Sequence, residues 1–289
     1  MDLLWLGEAT ADDFALMGRK AGHLSRLAAS YHVPPGFCLT TAAYVQAKDD
    51  PCSCIPRSSQ LYRKVQIAYE DLAERAEVAE VGVAVRSSAV DEDGDGASFA
   101  GQHETYLNVR GAECVAEAVV CCWESAHAQR ALAYRQRQGL DDDGIRLAVL
   151  VQQMVVADIS AVAFSANPVT GNQDEIVINA SWGLGESIVG GTVTPDTYTI
   201  AKAAWTIGPR QVADKQRMTV AVPGGTSEVN VPALLRRQPV LDEARILQIG
   251  DLAARLANHM GCPVDIECAY EGEQLYLLQC RPITALVKS

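Results

Sequence analysis

Several residues have the types and spacing to act on an anionic ligand. Arg86 closes a short apolar, β-prone run, Val83-Ala84-Val85, at the point where Arg86-Ser87-Ser88 replaces core residues with charge and hydroxyls. Downstream, Ser98, Ala100 and Gly101, followed by Gln102, are small enough to let a backbone approach phosphates closely. The acids Asp91, Glu92, Asp93 and Asp95 alternate with Gly94 and Gly96 between these two points, so the connection is a loop. Residue types alone leave two readings open: a solvated hairpin whose arginine pairs with its own acids, or a cation beside a phosphate loop. Lys20 falls at the start of a helix, where its charge opposes the helix dipole, so it is either solvated or faces an anion.

The C-terminal hairpin offers a geometric argument. Val264 to Tyr270 and Leu275 to Arg281 read as paired strands, and side chains alternate along a strand, so Glu267 and Gln279 share a face only across an odd-numbered loop. A loop of three sets Glu267 against Gln279 and Asp265 against Arg281. Two oxygen donors with Arg281 close by suit Mg²⁺; the competing reading is the polar solvent face of an edge hairpin.

These residues need elements to position them. Leu3 to Leu6 reads as a short buried strand, and Gly18-Arg19-Lys20-Ala21-Gly22 leads into a helix carrying Leu24 and Leu27. Val33-Pro34-Pro35-Gly36-Phe37 is a rigid turn feeding the strand Phe37 to Leu39, with Thr40 or Thr41 placed to cap the next helix. Leu61, Val65, Ala68 and Leu72 give Ser58 to Val78 helical spacing. A long helix is expected over Glu113 to Arg137, with Val115, Val119, Cys122, Trp123 and Ala126 on one side; Arg130 near its end pairs favourably with the dipole. Leu147 to Val151 is apolar on both faces and reads as a buried strand. Gln152, Gln153, Met154 and Val155 emerge from it, a segment suited to an adenine ring, although Met154 alone reads equally well as core filler. Ala161 to Ser165 and Glu175 to Ala180 form a second hairpin, joined through Asn167-Pro168-Val169-Thr170-Gly171-Asn172. Ser181-Trp182-Gly183-Leu184-Gly185-Glu186 then bends toward a helix start, placing Glu186 to accept from ribose hydroxyls, and it matches neither the Walker A nor the Rossmann pattern. Leu241 to Met260 is the last long helix, with Ile246, Ile249, Leu252, Ala253 and Leu256 at core spacing.

At 289 residues, with 48% hydrophobic and 21% charged residues, the chain has enough material for one large domain or two lobes without staples. A net charge of −12 argues against nucleic acid and anionic membrane as partners and asks any polyphosphate ligand for a local cationic cleft. No stretch reaches the ~20 apolar residues of a membrane span. The start, MDLLWLGEATADD, lacks a basic region and long apolar core, so a cytoplasmic location is expected. Nine cysteines, including Cys52, Cys54, Cys121 and Cys122, follow no zinc spacing and read as reduced thiols.

Read in order, R-S-S-A with E-D, S-F-A-G-Q and E-T-Y-L resembles the nucleotide-binding domain of the pyruvate phosphate dikinase, phosphoenolpyruvate synthase and rifampin phosphotransferase family. The resemblance runs along nearly the whole chain: G-R-K-A-G-H-L at 18 to 24, V-P-P-G-F at 33 to 37, R-A-L-A-Y-R at 130 to 135 and V-Q-Q-M-V at 151 to 155. It continues through F-S-A-N-P-V-T-G at 164 to 171, S-W-G-L-G-E at 181 to 186, D-I-E and Q-C-R-P-I-T.

This resemblance implies an α+β, two-lobed ATP-grasp domain that binds ATP between lobes of about 1–145 and 146–289. It implies phosphate contacts from Lys20, Arg86, Arg130 and Arg281, and a loop of Ser98, Ala100, Gly101 and Gln102 over the phosphates. It further implies a base-holding segment at Gln152, Gln153, Met154 and Val155, and Mg²⁺ on Glu267 and Gln279. The implied reaction converts ATP to AMP with phosphoryl transfer to a histidine carried on a separate domain or subunit. No phosphohistidine or pyruvate-binding segment follows within the 289 residues, and His23, His32, His103, His127 and His259 lie outside any such context. The alternatives are a self-contained kinase or ligase acting on a small acceptor, and a silent nucleotide-binding regulator. Two positions depart from the family pattern: Arg19 where a second glycine is usual, and Asn167 where aspartate is common. If that aspartate orients a turn, asparagine can replace it; if it supplies charge, the site is altered.

Overall fold

The structure is a computed structural model and describes residues 1–8, 13–48, 55–90, 104–129, 132–133, 136 and 145–283. It divides into two compact units, Met1–Met154 with Val222–Gly225, and Val155–Ala221 with Thr226–Ser289.

The first unit contains β1 (Leu3–Trp5), α1 (Phe14–Leu27), β2 (Gly36–Leu39), α2 (Thr41–Lys48), α3 (Gln60–Arg75), β3 (Val83–Ala89), β4 (Thr105–Val109), α4 (Ala112–Ser125) and β5 (Leu147–Gln153). The strands form an antiparallel sheet in the order β1-β2-β5-β3-β4. Phe37, Leu39, Val83, Val85, Val149 and Val151 turn one face of it toward Val65, Leu72, Val115, Val119 and Cys122 of α3 and α4, and this is the main core. The other face meets α1, where Cys38 Sγ lies 3.7 Å from Met17 O. Because Arg86 pairs with Leu150 in register, it belongs to this second face. β5 pairs with both β2 and β3, which places it in the first unit, whereas a boundary near residue 145 had assigned it to the second. The long helix expected to Arg137 is interrupted: α4 ends at Ser125, a turn follows at 126–128, and the described residues Gln129, Leu132, Ala133 and Gln136 are helical again. The Thr40 and Thr41 hydroxyls donate to Met1 O and Ala15 O, which ties the start of α2 to the N-terminus and to α1.

The second unit contains β6 (Ile159–Phe164), β7 (Glu175–Trp182), α5 (Glu186–Val189), β8 (Asp196–Ala201), β9 (Thr206–Gln211), β10 (Arg217–Val222), β11 (Gly225–Asn230), α6 (Glu243–Met260), β12 (Val264–Glu271) and β13 (Gln274–Pro282). Six strands form an antiparallel sheet in the order β13-β12-β6-β7-β8-β9, and β10-β11 is a separate pair. α6 starts where the Asp242 carboxylate accepts from Arg245 N at 2.8 Å and stops at Gly261, whose φ of 69° is left-handed. Its buried stripe of Ile246, Ile249, Leu252, Ala253 and Leu256 covers one sheet face. Gly250 permits this closeness, since a Cβ there would run into Ile200. Ile176, Ile178 and Ile200 fill that covered face, which leaves Val162, Asn179, Thr197 and Glu267 half-buried on the opposite one.

Candidate functional site

The expected residues assemble into two groups, one in each unit. In the first unit the G-R-K-A-G and R-S-S-A stretches come together. Gly18, at φ 69° and ψ 172°, breaks α1, so Arg19 and Lys20 open a new helical segment. The Lys20 ammonium donates to Ser87 O at 3.1 Å, Arg19 Nε donates to Val90 O at 3.3 Å, and Ala21 N donates to Ser88 Oγ at 3.0 Å. Lys20 is therefore tied to the residue that follows Arg86, and Arg86 lies in the middle of β3 and not at its end, because the strand continues through Ser87, Ser88 and Ala89. Arg19 is directed along the exit of β3, which accounts for a long side chain at that position. His23, one helical turn beyond Lys20, has its pKa pushed down to about 4 by burial and by the Arg19 and Arg26 charges, so its ring is neutral at pH 7.

The Gln152 to Val155 segment is tied to its surroundings. Gln152 is buried, with Nε2 donating to Pro34 O at 3.0 Å, so its amide serves the scaffold. Gln153 N donates to Pro35 O and Met154 N to Gly82 O.

In the second unit the hairpin pairs Glu267 with Gln279 and Asp265 with Arg281, as alternation required, but by a different route. The turn holds two residues, Gly272 and Glu273, and a β-bulge between Glu267 and Cys268 restores the register by giving β13 one extra residue. The expected three-residue loop is replaced by an even loop plus a bulge. Arg281 Nε and one terminal nitrogen both reach Asp265 Oδ2, at 2.8 and 2.7 Å. Burial pushes the Asp265 carboxyl above its usual range; the Arg281 guanidinium pulls against this and Glu267 adds to it.

Glu267 and Gln279 fit a hard cation in their chemistry: a carboxylate and an amide oxygen paired on adjacent strands and on the same side of the hairpin, the glutamate half-buried and the glutamine buried. Among the described residues no group of three or more His, Cys, Asp or Glu side chains could hold a metal alone, so such an ion would complete its shell with water and ligand oxygens. Glu186 opens the four-residue α5, exposed, and accepts from Thr226 Oγ1 at 3.1 Å. Arg130, Ser98, Ala100, Gly101 and Gln102 lie outside the described residues.

The Asn167 departure has a local explanation. Its Oδ1 accepts from Val169 N (3.0 Å) and Thr170 N (3.1 Å), and its Nδ2 donates to Glu175 at 2.9 Å. It orients a turn, and its neutral amide suits the neighbouring carboxylate.

One polar group escaped sequence reasoning. Asp196 and Lys215 are both fully buried and 2.5 Å apart. Asp196 also accepts from Ala213 N, Tyr198 OH and Val240 N, at 2.8, 3.0 and 2.9 Å. No periodicity marks the pair; the only signal is a Pro195-Asp196 step entering an apolar strand.

Residues 54–289 match the family described as pyruvate phosphate dikinase, AMP/ATP-binding domain. A phosphoenolpyruvate synthase from Pyrococcus furiosus is 35% identical, aligning with 98% of this chain and 44% of its own length. A rifampicin phosphotransferase from Streptomyces sviceus is 36% identical, over 98% of this chain and 36% of its own. The chain thus spans less than half the length of these relatives. A solved D-alanyl-alanine synthetase A from Vibrio cholerae is similar over 90% of this chain and 54% of its own, with a TM-score of 0.37 and 14% identity.

Proposed function

Given that the chain belongs to the pyruvate phosphate dikinase AMP/ATP-binding domain family, we propose that it is the ATP-binding part of a dikinase-type phosphotransferase with an ATP-grasp fold. In this reading two phosphoryl groups leave ATP as AMP forms: a histidine on a separate domain or subunit receives one, and water takes the other as inorganic phosphate. The observation that best supports it is the in-register row of Gln279 beside Glu267 and Arg281 beside Asp265 on one face of the β12-β13 hairpin. Phosphoryl transfer asks a protein for positioning and charge more than for covalent chemistry. Lys20, Arg86, Arg130 and Arg281 would offset phosphate charge, with Asp265 fixing the direction of the Arg281 guanidinium. Glu267 and Gln279 would hold Mg²⁺, which when bound neutralises phosphate oxygens. Ser98, Ala100, Gly101 and Gln102 would cover the phosphates, and Glu186 would accept from the ribose. The base would take its hydrogen bond from the Val155 amide, because the Gln153 and Met154 amides are already used.

Product analysis tests the reading. The chain is incubated with labelled ATP and Mg²⁺, alone and with the histidine-bearing portion of a related phosphoenolpyruvate synthase. Slow turnover alone, then AMP and an acid-labile, base-stable phosphohistidine with the partner, are expected. Rapid ADP formation from ATP and a small acceptor without a partner would replace this reading with that of a self-contained kinase.

A further inference from the structure

We propose that Ser88 is a positioning residue for Lys20: its hydroxyl caps the interrupted helix α1 from the neighbouring strand and so fixes the lysine's backbone, while the adjacent Ser87 carbonyl fixes its ammonium. The inference rests on the reading that Lys20 contacts nucleotide phosphate. A helix that restarts after a break leaves its first amides without intrahelical acceptors. Gly18 makes such a break, and the amide of Ala21 finds its acceptor in Ser88 Oγ at 3.0 Å, fully buried. This is the work of an N-cap side chain, done by a residue distant in sequence. The approach depends on Gly18, since a Cβ there would run into both Ser88 O and Ser88 Oγ, and its φ of 69° is unfavourable for other residues.

Ser88 is itself held firmly, paired with Ala148 in the β3-β5 ladder and with no exposed surface. The run Arg86-Ser87-Ser88 thus supplies a cation, the carbonyl that accepts from Lys20 Nζ at 3.1 Å, and the cap of the segment that carries Lys20. A hydroxyl at residue 88 is explained by this contact, because the strand position would otherwise take an apolar side chain like its buried neighbour Ala89.

A double-mutant cycle on the full chain separates this role from a purely structural one. Affinities for ATP with Mg²⁺ and for adenosine are measured by calorimetry for wild type, Ser88→Ala, Lys20→Met and the double variant. Loss of a capping side chain predicts that Ser88→Ala weakens ATP about three- to tenfold, leaves adenosine unchanged, and adds nothing in the Lys20→Met background. An equal loss for both ligands, a loss of the same size in the Lys20→Met background, or no loss would each overturn the inference. If Lys20→Met itself leaves ATP affinity intact, the phosphate role of Lys20 fails first and takes the inference with it. Should Ser88→Ala not fold, Ser88→Cys, with a weaker acceptor of similar size, is carried through the same cycle and judged by the same outcomes.

Discussion

Removing the Asp196 carboxylate should destabilise the protein more than any exposed ion-pair substitution. Asp196→Ala would leave the Lys215 ammonium with no exposed surface and no counter-charge, and would strip an acceptor from Ala213 N, Tyr198 OH and Val240 N. Breaking a buried pair from one side costs about 3–5 kcal/mol. That is a large part of the ~5–15 kcal/mol by which a domain is stable. With a urea m-value of about 3 kcal/mol/M, the midpoint of unfolding should fall by roughly 1–1.7 M. Lys215→Met alone should also be costly, because it leaves the carboxylate buried with only neutral donors. The double variant Asp196→Ala/Lys215→Met should lose less than the sum of its single changes, since neither charge remains. Urea titrations of the four proteins, followed by circular dichroism, give the coupling. Additive losses would refute the claim that these residues act as one buried unit.

Other consequences follow from the same geometry. His23 is depressed from 6.5 to about 4 in the fold, so the folded state binds its proton later than the unfolded one. Its contribution is present above pH 6.5 and is lost as pH falls through 4, on the order of 3 kcal/mol; His23→Gln should flatten the stability profile in that window, and an unchanged slope would contradict the assignment. Asn167→Asp should keep the turn but set two carboxylates side by side at Glu175, costing about 1 kcal/mol in chemical denaturation while ATP affinity stays unchanged. A marked fall in ATP affinity would instead make this position part of the site. Gly250→Ala should lower stability by about 1–3 kcal/mol through overpacking against the Ile200 terminal methyl, less the ~1 kcal/mol of helix propensity that alanine gains, read by thermal melting; a neutral result would mean that this methyl turns aside at little cost.

Much of the architecture was legible because local patterns determine it. The stripe of Ile246, Ile249, Leu252, Ala253 and Leu256 announced α6, and the two-sided apolar run from Leu147 announced β5. The partners of Glu267 and Asp265 were legible from alternation alone, but the turn was not. Glu271 and Gln274 continue the ladder, and nothing in the types of Gln279 and its neighbours signals the bulge that corrects the register. α4 was read without its interruption because an apolar residue at Ala126 continues the helical spacing beyond Ser125, where the helix stops. Ser88 and Asp196 were missed as organising groups since their partners, Ala21 and Lys215, lie 67 and 19 residues away and reach them only through tertiary structure.

The central claim, that this chain binds ATP through a metal held by the Glu267-Gln279 pair, is tested most directly by calorimetric titration of ATP with and without Mg²⁺. Wild type is compared with Glu267→Ala and Gln279→Ala. Tight binding that depends on Mg²⁺ in wild type, with losses in both variants confined to the Mg²⁺ titration, is the predicted result. No ATP binding by the wild-type chain, or equal losses with and without the metal, would contradict it.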